Sequence, residues 1–451
     1  MKKRIVSVLL VCAMGITMLA GCGGSGSGSD SSSAEAGEDF EFTEKLDPET
    51  EATINMLMPS SPQTRALQEL LETEFKEQYP NIKINITEST GNDIPTQAMT
   101  EAVSSAGSYD VICQSATVPA LANAGGIYPI DGFIERDADE LDFEDFVDNG
   151  LAYQGKTYAL PYRSDIMMLH YNKEKFLAAG LDPENPPSTW EEFREAAKAM
   201  TDESTGDYGL SIDYAATNGN TNSFYLSILY SMGGSYLDEE TNAPAFNDEI
   251  GVEAAQMYID WLKEDKVVNP ASVAWNGNDE AAAYFSNSAG MLIHWPARYT
   301  EANNDPSKSS ITGNSLVAPL PGDGGTLAFG WSFVIMDTSE YKNAAWEVIK
   351  FATSKDIQIK TIEAGGDCNP TRKSVTSDAD LQEKYPVLKV LDEALANARL
   401  YPQVTQAENI RAIIGKYINQ AATTDMTAQE AMDAAAKEAE TALKDSGELK
   451  E

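Results

Sequence analysis

Histidine and cysteine are nearly missing from this 451-residue chain, which holds two of the first and four of the second. His170 and His294 stand apart with no H-x-x-x-H spacing, so no histidine-built metal site is expected, and no cofactor. Four cysteines are too few for a disulfide scaffold. Cys12 and Cys22 fall near the N-terminus, which leaves Cys113 and Cys368 as two expected buried free thiols. Basic residues are the next shortage: 32 Lys and Arg face 71 Asp and Glu, for a formal net charge of −39. That excess repels nucleic acid and anionic membrane alike, so neither is an expected partner. No internal repeat, nucleophile elbow or nucleophile–base pair is evident, and nothing in the sequence supports an enzyme.

What is there begins with Lys2, Lys3 and Arg4, followed by an apolar run from Ile5 to about Ala20. The run is shorter than the roughly 18 residues a spanning helix needs, and Gly15 weakens it, so it reads as a secretory signal. Its ending, Leu19-Ala20-Gly21-Cys22, resembles a bacterial lipobox, in which the peptidase cuts before the cysteine and its thiol carries lipid. Residues 1–21 are then a signal peptide, and a lipid on Cys22 anchors the chain to the outer face of the cell membrane, on a surface read as Gram-positive. The Gly/Ser-rich and acidic stretch 22–50 has little to bury and is expected as a flexible tether.

About 400 residues remain, more than one comfortable core, so two lobes are expected. Thr53–Met58 reads as a strand. Ser61 can cap the next helix with Pro62 in its first turn, and Ala66, Leu67, Leu70, Leu71 and Phe75 share one face. Ile82, Ile84 and Ile86 alternate as a second strand and Asp110–Cys113 forms a third, a rhythm that predicts a parallel, doubly wound sheet. A second block has strands near 167–171, 208–212, 291–295, 315–320 and 331–336, and helices near 190–200, 222–232 and 249–264. Thr189 with Glu192 and Thr427 with Glu430 have capping-box spacing. Trp190, Trp261 and Trp346 lie on predicted helices as core or staple residues, whereas Trp275, Trp295 and Trp331 lie in loops or at strand ends.

Two familiar patterns fail on context. Gly150 to Gly155-Lys156-Thr157 matches a phosphate loop letter for letter, but acidic residues precede it and Tyr158–Pro161 follows as extended chain, not a helix. The acidic stretch Asp131–Asp148 lacks the Gly-centred spacing of a calcium loop and reads as a solvated face.

A third pattern extends over nearly the whole mature chain. Tyr109-Asp110-Val111-Ile112 is followed by Gly125-Gly126-Ile127-Tyr128-Pro129-Ile130-Asp131, by Gly155-Lys156-Thr157-Tyr158, and by Tyr171-Asn172-Lys173. Pro187-Ser188-Thr189-Trp190-Glu191-Glu192-Phe193, the Phe285–Trp295 segment, Val317–Gly322 and Asn369-Pro370-Thr371-Arg372 complete the order. This series resembles the bacterial extracellular solute-binding proteins, and most of all their sugar-binding group. The resemblance implies an α/β, two-lobed periplasmic-binding-protein fold whose discontinuous lobes are joined by hinge segments. Lobe 1 would comprise 51–162 and 323–368, and lobe 2 would comprise 163–322 and 369–451. It further implies a monomer that takes a small solute, a mono- or oligosaccharide, between its lobes and delivers it to the transmembrane subunits of an ABC permease.

Sugar recognition needs flat aromatic faces and fixed hydrogen-bonding groups, and open α/β sheets bind beyond the carboxyl ends of their strands. Trp295, extended by the Pro296 that follows it, falls on the family's stacking Trp. Asp165 falls where the family's crossover carries a ligand-binding carboxylate, with Arg163 beside it and Tyr162 as a further stacking ring. Trp331 in Gly330-Trp331, Trp275 and Asn278 in its loop, Ser60 after the first strand, and Gln114, Ser115 and Thr117 after the third complete the expected lining. Asn222 and Tyr225 lie in a segment that lines the cleft in relatives, and Arg372 is read as a hinge anchor within the ligand set. Gln114 stands where maltose-binding members carry Trp, which speaks against a long α-glucan. Arg298 and His294 beside Trp295 leave room for a phosphorylated or acidic sugar. Alternatives are a peptide or polyamine on the same fold, a sensory glycan-binding lipoprotein and an extracellular glycosidase.

Overall fold

The computed structural model describes residues 45–450, apart from 116, 217, 218, 276 and 324. The expected signal peptide, Cys22 and the Gly/Ser stretch lie outside the described residues. Residues 45–50, expected as the end of the tether, are instead held on the folded body. Thr50 N–H donates to the Asp47 carbonyl at 2.9 Å, Lys45 pairs with Glu140 at 3.0 Å, and Asn81 donates to the Glu49 carbonyl at 3.3 Å.

In chain order the strands are β1 (Ala52–Pro59), β2 (Ile82–Ser89), β3 (Val111–Ser115), β4 (Ala152–Tyr153), β5 (Lys156–Thr157), β6 (Ala159–Ile166), β7 (Met168–Asn172), β8 (Tyr208–Ser211), β9 (Ala289–His294), β10 (Ser315–Ala318), β11 (Leu327–Ile335) and β12 (Arg399–Leu400). One sheet runs β2-β1-β3-β11-β6, with β12 beside the start of β11; the other runs β10-β7-β9-β8. The expected parallel winding holds for β1, β2 and β3. It fails for β11, which is antiparallel to both β3 and β6, and for β7, antiparallel to β9 and β10. Parallel neighbours need a crossover within one sheet, but β11 arrives from the other sheet and is free to enter from the opposite end.

The phosphate-loop match is a hairpin: β4 and β5 pair across Gln154 and Gly155. Both turn residues have positive φ, at 49° and 78°, the mark of a primed hairpin turn that suits glycine at the second position. No helix N-terminus follows, so the geometry a phosphate would need is absent from this segment.

Two crossings join the sheets. β6 passes through Met167 directly into β7, and the segment 319–326 returns from β10 to β11. The crossings bind each other: Met167 N–H donates to Leu327 O at 3.2 Å, and Thr326 Oγ1 donates to Met167 O at 2.9 Å. The return expected at 369 comes later in the chain. Val147 N–H still donates to Thr371 O at 2.8 Å, and Thr371 Oγ1 donates to Pro161 O at 3.0 Å. The Ala407–Thr423 helix packs on the Gly219–Ser231 helix of the second-sheet body, and both it and the Ala428–Asp445 helix pack on the Glu249–Lys263 helix.

Local chemistry sets the helices as expected. Ser61 Oγ accepts from Thr64 N–H at 3.1 Å with Pro62 at the first position, and both capping boxes form. Trp261 and Trp346 are wholly buried. Trp346 stacks on Phe133 at 5.1 Å, and Trp190 packs edge-on against Phe193 while its Nε1 donates to Ser231 Oγ at 3.0 Å. Cys113 and Cys368 are buried and unpaired; burial pushes the Cys368 thiol up to about 12 and Cys113 higher still. Among the described residues no helix is long and apolar enough to cross a membrane.

Candidate functional site

The carboxyl ends of β3, β6 and β9 and the start of β11 converge on a cavity of about 240 Å³ between the two sheets. Alternation along β6 decides what reaches it. Arg163 and Asp165 project toward the cavity, while Tyr162 and Ser164 take the opposite face. The same period of two puts both Phe329 and Trp331 of β11 in the lining. Ser115 ends β3 beside them, directly paired with Trp331. From the second sheet come His294 and Trp295, with Gly277, Asn278, Arg298, Asn220 and Ser223.

Aromatic faces enter from both sheets. Trp295 stacks on Phe329 with centroids 5.6 Å apart and planes 25° from parallel, which fixes its outer face. The Arg163 guanidinium lies 5.2 Å above the Trp331 ring. Gly91, in the loop after β2, backs that ring: a methyl group there would sit 3.2 Å from it, and the ring would have to give by a few tenths of an ångström.

The polar frame is nearly saturated from within. Asp165, 2% exposed, accepts from Arg163 Nε and Nη2 at 3.0 and 2.9 Å and from Asn369 Nδ2 at 2.8 Å. Asp367 lies 3.9 Å from Arg163 on the other side. Burial, with the Asp165 charge adding to it against the pull of Arg163, raises the Asp367 carboxyl to about 6. Burial works against the Arg163 charge, but the two carboxylates more than offset it and hold its pKa above the ordinary value. His294 is neutral, because burial and then Arg298 push it well below the ordinary imidazole range. Its Nδ1 accepts Trp295 N–H at 2.8 Å, which orients the backbone under the stacking ring.

Of the residues expected here, Trp295, Trp331, Asp165, Arg163, Ser115 and Asn278 meet at the cavity, with Arg298 and His294. Several others are corrected. Tyr162 is buried against Phe333 at 4.6 Å in the first-sheet core, where no sugar can stack on it. Gln114 turns inward and its Oε1 accepts from Thr117 N–H and Oγ1 at 3.0 and 2.6 Å, which occupies both residues. Tyr225 is buried, its hydroxyl donating to the Phe246 and Gly251 carbonyls at 3.0 and 3.1 Å. Asn222 is likewise enclosed and bonds Tyr401 at 2.7 Å. Helical spacing explains both: residues 222 and 225 share the inward face, and residues 220 and 223 share the cavity face. Arg372 is an anchor outside the cavity, donating to the Thr353 and Leu141 carbonyls at 2.8 Å each and lying 4.1 Å over the Phe146 ring. Ser60 is exposed at the end of β1 and Trp275 is half-buried; neither belongs to the described lining.

The sequence reading did not include Thr90, Gly91, Asn92 and Pro95, Phe329, Asn220, Ser223 or Arg411. Phe329 had a signal in its two-residue spacing from Trp331. The Thr90–Asn92 turn had one in its place after a strand end. Arg411 had none, since an arginine on an amphipathic helix reads as solvent-facing.

A family model described as bacterial extracellular solute-binding protein matches residues 59–359. A probable amino-acid ABC transporter periplasmic-binding protein of Sinorhizobium fredii is 28% identical over 321 residues, 69% of this chain and 71% of its own length. A mannitol-binding protein of Pseudomonas aeruginosa is 25% identical over 402 residues, 84% of this chain and 90% of its own. An ABC transporter solute-binding protein of Agrobacterium radiobacter, solved with ribitol, matches with a TM-score of 0.76 at 25% identity, over 87% of this chain and 98% of its own. The maltose-bound MalE3 of T. maritima matches with a TM-score of 0.77 at 27% identity, over 87% and 100%. These neighbours share the α/β, two-lobed periplasmic-binding architecture. With that fold, and with the family match running from the end of the first strand into the second helix after β11, this chain belongs to the bacterial extracellular solute-binding proteins.

Proposed function

We propose that this chain captures a small carbohydrate or polyol between its two lobes and hands it to an ABC import permease, while acyl chains on Cys22 hold it at the outer face of the membrane. The observation that carries this reading is the outer face of the half-buried Trp295, backed by Phe329, with Trp331 under the Arg163 guanidinium on the opposite sheet, over a cavity whose polar lining is Asn, Ser, Thr, Arg, His294 and Asp165. Aromatic faces suit the C–H side of a sugar or polyol, and the amides, hydroxyls and guanidinium groups suit its oxygens. At about 240 Å³ the cavity is smaller than the roughly 300–1,000 Å³ of drug-sized pockets, which favours a single ring or an open-chain polyol over a glucan. The relatives named for mannitol and ribitol support the same size class. In this reading Trp295, Trp331, Asp165, Arg163, Ser115 and Asn278 contact the ligand, and Met167 and residues 319–326 act as the hinge. Ligand stabilises the closed form only by its higher affinity for it. Capture without turnover fits the lining: its one described carboxylate, Asp165, is already engaged on both oxygens, whereas a glycosidase needs two.

A thermal-shift screen of the mature chain tests this against sugars, polyols, sugar phosphates, amino acids, peptides and polyamines. A ligand at a thousand times its Kd adds about 4 kcal/mol of stability, an easily resolved shift. A response among sugars or polyols is expected. Silence there with a response to amino acids, peptides or polyamines would overturn the carbohydrate assignment and leave the family intact.

A further inference from the structure

The charge inside the cavity is inverted relative to the chain. Across the whole sequence acids outnumber bases, 71 to 32. Among the described lining residues three arginines, Arg163, Arg298 and Arg411, face one carboxylate, Asp165. Arg163 is consumed by Asp165 and Asp367, as described above. Arg298 is engaged at both terminal nitrogens: Nη1 pairs with Glu301 at 2.5 Å, and Nη2 donates to the Gly277 carbonyl at 2.9 Å and to Asn278 Oδ1 at 3.4 Å. Arg411 is the least committed. Its one ion partner among the described residues is Glu408 at 3.0 Å, three residues back on the same helix, and its side chain is 22% exposed. It has no hydrogen bond to any described residue. Both glutamates lie outside the lining, so each pair presents its cationic end to the cavity.

From this arrangement we infer that the natural solute is acidic: a sugar or polyol body carrying a carboxylate or phosphate, with the oxyanion held by Arg411 and Arg298. Guanidinium groups bind both anions in the same planar, two-point way, and such charge-assisted bonds are about twice as strong as neutral ones. The neutral His294 adds no cation of its own, which leaves the anion to the arginines. A neutral solute would offer the Arg411 fork only hydroxyl oxygens, which gain less from it than an oxyanion does. The inference rests on the carbohydrate reading above and narrows it to one class.

The test is calorimetric titration of the mature chain with sugars and polyols of three to six carbons, each neutral compound paired with its phosphate ester and its uronic or aldonic acid. We expect at least one acidic member to bind tenfold or more tightly than its neutral partner. We expect Arg411→Gln to weaken that acidic member at least tenfold more than the neutral one. The arm that responds, phosphate or carboxylate, names the anion. Neutral partners binding as tightly as the acidic ones, or Arg411→Gln weakening both alike, overturns the inference and keeps the carbohydrate reading. No binding across the panel removes both. Should Arg411→Gln not fold, Arg298→Gln is put through the same comparison, and the preference of the unaltered chain decides by itself.

Discussion

Trp295 and Phe329 come from different sheets yet stack at 5.6 Å, so in this arrangement each ring orients the other. An aromatic pair of this kind contributes about 0.5–1.5 kcal/mol beyond the area it buries. Trp295→Ala removes both the ring and its burial of the solute, and affinity for whichever sugar the screen identifies is expected to fall at least tenfold, about 1.4 kcal/mol. Calorimetry reads this directly. Unchanged affinity would mean that the stacking face lies elsewhere in the cavity. Because Trp295 is only half-buried, the melting temperature of the unliganded variant should change little.

At the scale of elements, β6 does the most with the fewest residues. Its alternation sends Tyr162 and Ser164 into one side and Arg163 and Asp165 toward the cavity, and its far end continues into the second sheet. Arg163 holds together two buried carboxylates, Asp165 and Asp367, each 2% exposed. Removing one partner of a buried ion pair leaves charge without compensation and costs roughly 3–5 kcal/mol. Arg163→Met is therefore expected to lower stability by about 3 kcal/mol or more in urea denaturation. Adding Asp165→Asn should recover part of that loss, since one of the two stranded charges is then gone. If the single variant unfolds at the same urea concentration as the parent, the triad is not what secures this crossing.

For the whole molecule the acidity of the chain reaches into its interior. Asp213 and Glu280 are both buried, and their carboxyls hydrogen-bond each other. Burial raises Glu280 to about 7 against an opposing Arg298, with Asn220 bonding its other oxygen at 2.9 Å and the neutral His294 at 3.5 Å. Burial also lifts Asp213 well above the carboxylate range, and the Glu280 charge raises it further. A carboxyl raised on folding keeps a proton that the unfolded chain gives up. Its contribution to stability is thus complete below about pH 4.5 and declines as pH rises to about 7. Asp367, raised to about 6, acts in the same direction. Glu280→Gln should make the chain more stable at pH 7 by roughly 1–3 kcal/mol and flatten the fall between pH 5 and 7. Urea denaturation at half-unit pH steps measures both. An unchanged slope would mean that Glu280 is ionised in the folded chain.

What the sequence determined by itself was local or linear. Caps at Ser61, Thr189 and Thr427 follow from short-range hydrogen bonding, and the strand–helix order follows from periodicity. Trp295, Trp331, Asp165 and Arg163 were legible because each sits beside a motif or at a strand end, where α/β sheets bind. Tertiary structure decided which face of each element looks into the cavity. It turned Tyr162, Gln114 and Tyr225 into the core, sent Arg372 to an anchor, and brought in Phe329, Asn220, Ser223 and Arg411. It also reversed β11 against β3, because that strand returns from the second sheet. The physical reason is common to all of these. Periodicity states that a strand or helix has two faces, but only long-range pairing, here across more than 200 residues between β3 and β11, determines which face meets the partner and which is left for the solute.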